Sequence, residues 1–340
     1  MAGRRPPEAQ PSVDSHPSPG VPADRKPLDW RIPDLGWSIL ATLAYADVFD
    51  FPMRMAEIHH YLIGRAADPD QINRVLDTDR RLKPRIERRD GVAFLAGRDG
   101  LQEKRREREE IARRLWPAAR RYAAIIASLP FVRMVALTGA LALENTDASG
   151  DIDYLVVTAP GRLWLTRAMV VLWVRRAALE GVSLCPNYLL SEDALHLPDQ
   201  DLFAAHELVQ MVPLAGLAHY WRMRQLNHGW VSSHLPNAGG LPPGGRSGLP
   251  GHDGRRRLMG PLGEKLLKLR LVDPLERWEM SRKIRRFARE IEVSRGVGPS
   301  GGRTEERFGH DWCKGHFDHH AMHTLAAYSR RLENLADGWP

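Results

Sequence analysis

Two apolar segments on either side of a glycine turn constrain the fold of this chain more than any other feature. Residues 131–137 (FVRMVAL) and 151–158 (DIDYLVVT) are rich in β-branched and large apolar residues, and both have the length of a strand. The first segment ends at Thr138-Gly139, and strong helix formers follow it at 140–145. The order predicts a strand, a glycine turn, a short helix, a loop and a second strand beside the first.

The second of these strands contains two acids, Asp151 and Asp153. Residues i and i+2 of a strand lie on the same face, with Cα atoms about 6.5–7 Å apart. Two carboxylates this close destabilise each other unless a cation lies between them. Carboxylate oxygens, phosphate and water are the ligands that Mg²⁺ prefers, so the pair predicts a Mg²⁺ or Mn²⁺ site. The alternative is a pair of solvated acids at a sheet edge.

The turn at Thr138, Gly139 and Ala140 predicts a phosphate-binding loop. Backbone N–H groups at a strand-to-helix turn lack partners within the helix, and glycine lets a phosphate approach the main chain without a Cβ in the way. The expected ligand is a nucleoside triphosphate. The alternative for Gly139 alone is an ordinary turn.

The segment Leu137-Thr138-Gly139-Ala140-Leu141-Ala142, followed by Asp151-Ile152-Asp153, resembles the DNA polymerase β-type nucleotidyltransferase superfamily, in particular its minimal members. The resemblance covers about residues 130–195. It implies an α/β (α+β) nucleotidyltransferase-like mixed sheet with flanking helices, and Mg²⁺-dependent transfer of a nucleoside monophosphate to a hydroxyl or amine acceptor. Carried over to this sequence, Gly139 is the turn glycine, and Asp151 and Asp153 are the catalytic, metal-binding pair.

The chain departs from the family pattern at two points. Ala140 stands where the family usually has serine, so only Thr138 would offer a hydroxyl to the triphosphate. In the later strand at 183–191, where the family often has a third acid, the central polar residue is Asn187, and Glu192 follows the strand. The catalytic prediction is therefore Asp151, Asp153 and Glu192, and the nucleotide-binding prediction is Thr138, Gly139, Ala140 and Asn187. The alternative is a domain that senses nucleotide without catalysis.

An N-terminal segment at 35–97 has three helical patterns followed by two strand patterns around Asp90-Gly91, the strongest short hairpin signal. This order resembles a winged-helix domain, which implies a DNA or protein partner. The third helix, after Asp68-Pro69, mixes arginines with four nearby aspartates, and those acids would repel DNA phosphates. A packing role is the alternative. Residues 98–129 predict one connecting helix.

The rest of the chain predicts four more regions. Residues 1–28 are proline-rich and are expected to be a disordered tail, and 236–260 a Gly/Pro-rich loop. The nucleotidyltransferase-like domain is expected to span 130–235 and to include two helices at 199–227 that are broken at Pro213. A C-terminal helical region is expected at 261–340, where Cys313, His316, His320 and His323 have the spacing of one helical face. That face is expected to pack on the nucleotide site, with zinc binding as the alternative.

The composition favours a cytoplasmic protein without a membrane partner. No uncharged apolar run approaches the ~18 residues of a membrane span, and two cysteines cannot form a disulfide framework. The net charge of +7 suits a polyanionic partner such as a triphosphate. An arginine-biased composition would give the same charge without such a partner.

Overall fold

The computed structural model describes residues 32–244, 272–295, 307–314, 320–337 and 339, and for 286–295 and 307 the backbone alone. The predicted tail at 1–28 lies outside these ranges, as do residues 245–260 of the predicted Gly/Pro loop. The described residues form a mixed α/β structure with two sheets. None of their helices is long and apolar enough to cross a membrane.

The first sheet lies in the N-terminal part of the chain and is packed by three helices. The elements, in chain order, are α1 (Leu35–Asp47), β1 (Met53–Arg54), α2 (Met55–His60), α3 (Pro69–Thr78), β2 (Ile86–Arg89) and β3 (Val92–Leu95). The helix α3 begins as predicted, with the Asp68 side chain accepting a hydrogen bond from the Gln71 N–H and Pro69 in the first turn. The predicted order of three helices and a hairpin is confirmed.

The hairpin turn has the backbone that its sequence demands. Asp90 and Gly91 have φ of 51° and 78°, the left-handed values of a two-residue turn between antiparallel strands. The strands β2 and β3 pair antiparallel from Ile86 opposite Leu95 to Arg89 opposite Val92, and β1 pairs with the other side of β3. The β2–β3 hairpin of this sheet is therefore predicted by the two turn residues alone.

The second sheet has six strands, in the order β7 (Val212–Ala215), β4 (Val132–Thr138), β5 (Ile152–Thr158), β6 (Leu184–Ser191), β9 (Trp312–Lys314) and β8 (Arg307–Phe308). The helices around it are α4 (Leu101–Ala127), α5 (Gly139–Ala142), α6 (Leu163–Ala178), α7 (Leu202–Gln210), α8 (Leu217–His234), α9 (Val272–Arg295) and α10 (His320–Ala336). The strands β5 and β6 are parallel and are joined by α6, while the other neighbours are antiparallel, so the predicted mixed sheet with flanking helices is confirmed at this level.

The two faces of this sheet pack against different parts of the molecule. Along β5, Tyr154 and Val156 belong to one core cluster with residues of α4 and α6. Leu155 and Val157 belong to another cluster with the N-terminal helices. Because side chains alternate along a strand, Asp153 shares the face of Leu155 and points toward the N-terminal part.

The structure corrects two predicted helical segments. Pro213, expected to break two helices, lies in the strand β7 and pairs with Ala136. Because β7 is an edge strand, it tolerates a residue without an N–H. The C-terminal region is not wholly helical, since β9 pairs with β6. Cys313 lies buried in β9 and so shares no helical face with His320 and His323, and His316 lies outside the described residues.

Candidate functional site

Strand pairing brings the glycine turn and the acids to one edge of the six-stranded sheet. Thr138 at the end of β4 is opposite Asp153 of β5, and Asp153 is opposite Cys185 of β6 on its other side. The register of β6 then shifts, and the Asn187 side-chain amide donates to Asp153 Oδ1 at 3.4 Å. Residues 48 positions apart in sequence, from Gly139 to Asn187, thus surround one carboxylate.

Gly139 is required by its backbone and by its contact with Asp153. Its φ of +67° is a left-handed conformation that residues with a Cβ rarely adopt. A Cβ at this position would lie 2.3 Å from Asp153 Oδ2. The turn therefore accommodates the carboxylate only because residue 139 has no side chain.

The two aspartates have different environments. Asp151 is exposed, whereas Asp153 is half-buried. Burial raises the pKa of Asp153 to about 6, hydrogen bonds from Asn187 and Cys185 oppose that rise, and the negative charge of Asp151 adds to it. Within the described parts of the chain neither aspartate forms an ion pair with a lysine or arginine. A cationic ligand at this edge would relieve the cost of the ionised Asp153 carboxylate.

The ligand set at this edge suits Mg²⁺ better than zinc. Among the described residues, no group of three or more His, Cys, Asp or Glu side chains could hold a metal ion. The chain offers oxygens from Asp151 and Asp153, with Asn187 beside them. Magnesium is commonly held by one or two carboxylates together with phosphates and water, whereas structural zinc needs four closed protein ligands. The residues present therefore fit a metal that arrives with a phosphate substrate.

The edge with Asp153 opens into a cavity of about 330 Å³. Gly139, Ala140, Asp153 and Asn187 form one side of it. The opposite side comes from the N-terminal part of the chain and is largely aromatic, with Tyr45, Phe49, Phe51 and Tyr61. The cavity thus lies between the two sheets, where sequence patterns give no signal.

Helices α7 and α10 close the cavity with Phe203, Glu207, His320 and Thr324. Burial raises the pKa of Glu207 to about 7, and the charge of Asp153 adds to that rise while Lys314 opposes it. The sequence indicates only that Glu207 lies on the polar face of its helix. Glu207 is the one acid of the segment LFAAHELVQ, and a lone acid in a mostly apolar helix is the signal that could have identified it.

Three other polar groups in or beside the cavity are held in unusual environments. His206 stacks on Tyr45 with ring centroids 3.9 Å apart, and its Nδ1 donates to the Leu202 carbonyl at 2.9 Å. Burial lowers the pKa of His206 to about 3, so this ring is neutral at pH 7. The hydroxyls of Tyr61 and Thr138 are buried without a hydrogen-bond partner among the described residues. An unpaired buried hydroxyl costs stability unless a ligand or water satisfies it.

Glu192, predicted to be catalytic, lies at the opposite end of β5. Its Oε2 is 3.0 Å from His219 Nε2 and 3.7 Å from Arg133 Nε, and its N–H bonds to the Thr158 carbonyl. The strands β6 and β5 are parallel, so the residues that follow β6 lie beside the end of β5 at Thr158. Thr158 is five positions from Asp153 along β5, a distance of roughly 17 Å. The structure therefore does not bring Glu192 to the aspartates.

The cations near α3 and the hairpin are largely paired with acids. Arg81 forms ion pairs with Asp34 and Asp79, and Arg88 forms one with Asp77. Such pairs reduce the positive charge that a DNA phosphate would meet. The N-terminal surface thus offers a weaker field for DNA than the net charge of the chain indicates.

Comparisons with known proteins found no match to the chain, whether among family models, curated proteins or solved structures. The geometry of the sheet edge and its cavity is therefore the basis for assigning a function.

Proposed function

We propose that the chain is a Mg²⁺-dependent nucleotidyltransferase, which transfers a nucleoside monophosphate from a triphosphate to a hydroxyl or amine acceptor. The main support is the Asp153 carboxylate, which packs on the Gly139 turn, shares a strand face with Asp151 and lines a cavity of about 330 Å³. Asp153 is held at a cost in stability, and that cost is expected of a group kept for ligand binding rather than for folding.

In the proposed reaction, the acceptor oxygen or nitrogen bonds to the α-phosphorus while the bond from that phosphorus to the bridging oxygen breaks. Pyrophosphate leaves with the electron pair of that bond. Mg²⁺, when bound by Asp151 and Asp153, would neutralise the charge of the phosphates. The turn at Thr138, Gly139 and Ala140 positions the triphosphate through its N–H groups.

The acceptor must also lose a proton. Glu207 lines the same cavity as Asp153, and its pKa of about 7 suits a base that works near neutral pH. Glu192 has no role in this scheme because it lies at the far end of β5.

The test is transfer of label from α-³²P nucleoside triphosphates in the presence of Mg²⁺ and a low-molecular-weight cell extract as the source of acceptors. The wild-type protein should yield new labelled compounds and an equal amount of pyrophosphate. Asp153→Asn should reduce both at least about 100-fold, since it removes a charged group from the transition state. Glu192→Gln, which also replaces an acid by its amide, should remain within about twofold of wild type. Transfer that persists in Asp153→Asn would contradict the proposal.

A second proposal is that the domain binds a nucleotide without catalysis and reports it to a partner of the N-terminal part. Two observations favour it: Ala140 has no hydroxyl, and Asn187 rather than an acid contacts Asp153. In that case a fluorescent triphosphate should bind with Mg²⁺ while no pyrophosphate appears. The paired cations near α3 favour a protein partner over DNA. DNA binding that weakens steeply with added salt would reverse that preference.

A further inference from the structure

The cavity between the two sheets has an acidic end and no basic lining. Asp153 and Glu207 both line it, and its described lining includes no lysine or arginine. Of the two histidines in the lining, burial keeps His206 neutral, and the charge of His320 acts on Asp153, whose pKa it lowers. Without bound Mg²⁺, an anionic ligand would meet the carboxylate of Glu207, whereas a cation would be attracted by it.

Glu207 has an oxygen available for such a cation. Gln210 donates to Glu207 Oε1 at 2.8 Å, and no described residue donates to Oε2. The charge of Lys314 lowers the pKa of Glu207, but the Lys314 Nζ lies 3.3 Å from Asp199 Oδ2 and so is shared with another acid. A half-buried carboxylate with one hydrogen bond gains most from a ligand that carries an N–H donor and a positive charge.

The remaining walls suit an apolar body. Phe49, Phe51 and Phe203 line the cavity with aromatic rings, which bury apolar surface and also attract cations. The Tyr61 side chain is 3% exposed, lines the cavity and has a buried hydroxyl without a partner in the described chain. The volume of about 330 Å³ is near the lower end of the ~300–1,000 Å³ range of small-molecule sites.

We propose that the cavity binds a small, largely apolar primary amine, with its ammonium group on Glu207 and its hydrocarbon or aromatic body against the aromatic wall. That this amine is the acceptor rests on the nucleotidyltransferase function proposed above. Binding of the amine does not depend on that function.

Three matched probes test the proposal: 4-phenylbutylamine, 4-phenylbutanol and 4-phenylbutyrate. They share a phenyl ring on a short alkyl chain and differ at the end group, which is an ammonium, a hydroxyl or a carboxylate. Their affinities for the full-length protein are measured by ligand-observed NMR at pH 8, without nucleotide or Mg²⁺. The amine should bind at least about tenfold more tightly than the alcohol, the gain expected of one charge-assisted hydrogen bond, and the carboxylate should bind more weakly than either. An alcohol that binds as tightly as the amine would overturn the proposal.

A variant pair then assigns the effect to Glu207. Glu207→Gln keeps the shape of the side chain and should bring the affinities for amine and alcohol within about twofold of each other. Asp199→Asn removes one negative charge near Lys314 but outside the cavity lining, and should keep the preference for the amine. A folded Glu207→Gln protein that retains the full preference would contradict the assignment. If the amine binds but no label is transferred, the nucleotidyltransferase proposal is wrong and the amine site is retained. If label is transferred but the amine is not preferred over the alcohol, the amine site is wrong and the nucleotidyltransferase proposal is retained.

Discussion

Carboxylates lie at both ends of the β5–β6 strand pair, but only at one end do basic side chains lie beside the carboxylate. At the far end, Glu192 lies beside His219 and Arg133. At the near end, Asp153 packs on a glycine turn next to Asp151, with an amide and a thiol as its hydrogen-bond donors and a raised pKa. The same sheet therefore contains one acid that lies beside two basic side chains and one whose ionised form is disfavoured mainly by burial.

This difference indicates which acid serves the fold and which serves a ligand. A partly exposed ion pair such as that of Glu192 contributes about 0–1 kcal/mol and needs no further partner. A half-buried carboxylate without a cation costs stability, and natural chains tend to retain such a cost where function requires it. Matched pairs of substitutions should separate residues that serve the fold from residues that serve a ligand.

The largest effect is expected from a methyl group at the Gly139 turn. Gly139→Ala introduces a Cβ that would lie 2.3 Å from Asp153 Oδ2, so the carboxylate must move. A misplacement of about 1 Å at a reacting centre can cost on the order of 100-fold in rate, and label transfer should fall by that factor. Gly161→Ala is the control, because Gly161 also has a left-handed backbone, with φ of +63°, but nothing lies within 4 Å of a Cβ there.

Both alanine variants should lose about 1–2 kcal/mol of stability from the left-handed backbone. Only Gly139→Ala should lose activity beyond what the lower fraction of folded protein explains. Equal losses of transfer in the two variants would contradict the role of the Gly139–Asp153 contact.

The second prediction concerns stability at the two ends as a function of pH. The pKa of Asp153 is raised in the folded protein, from the usual 3.8 to about 6. The folded state therefore binds the proton more tightly than the unfolded state, and stability decreases as the pH rises from about 4 to 6. Above pH 6 the cost is fully present, so Asp153→Asn should raise the free energy of unfolding at pH 8 by on the order of 1–3 kcal/mol.

Urea denaturation at pH 8 and pH 4 measures this difference, which should nearly vanish at pH 4. Glu192→Gln should have the opposite sign at pH 8 and lower stability by less than about 1 kcal/mol. If Asp153→Asn destabilises the protein at pH 8, the carboxylate is a structural group and the contrast between the two ends is wrong.

The smallest effect is expected from two buried tyrosines that differ in hydrogen bonding. The Tyr61 hydroxyl beside the cavity has no partner among the described residues, whereas the Tyr154 hydroxyl donates to the Ala119 carbonyl at 2.6 Å. Tyr61→Phe should leave stability unchanged or raise it by up to about 1 kcal/mol, because it removes an unsatisfied polar group. Tyr154→Phe should lower stability by about 1 kcal/mol. Thermal unfolding of both variants without ligand would distinguish these outcomes. Equal losses of stability in the two variants would show that the Tyr61 hydroxyl has a hydrogen-bond partner in solution.

Local signals predicted much of the fold. Asp90-Gly91 predicted its hairpin because both turn residues adopt left-handed backbone at low cost. The paired strands at 132–138 and 152–158 follow from their β-branched composition and from the glycine turn between them. The strand β7 was missed because Pro213 is a helix breaker by local rules, and its place at a sheet edge depends on β4, more than 70 residues earlier.

The candidate site could be predicted only in part. Asp151 and Asp153 share a face because side chains alternate along any strand, which needs no tertiary information. The separation of Glu192 from them follows from the parallel direction of β6, which the connecting helix α6 imposes. Glu192 was predicted because it follows the strand on which the family often has a third acid, and its place in the sequence does not show which end of the sheet it reaches.

The sequence by itself determined that a strand, a glycine turn and an acid-bearing strand would lie together, because these features depend on backbone preferences of a few neighbouring residues. Only the tertiary structure decided which acids are neutralised and which face a cavity. That outcome depends on Glu207, Tyr61 and His320, which come from separate elements and meet through packing of the two sheets and their helices. Burial and charge are properties of such assembled surroundings, so no single segment of the chain encodes them.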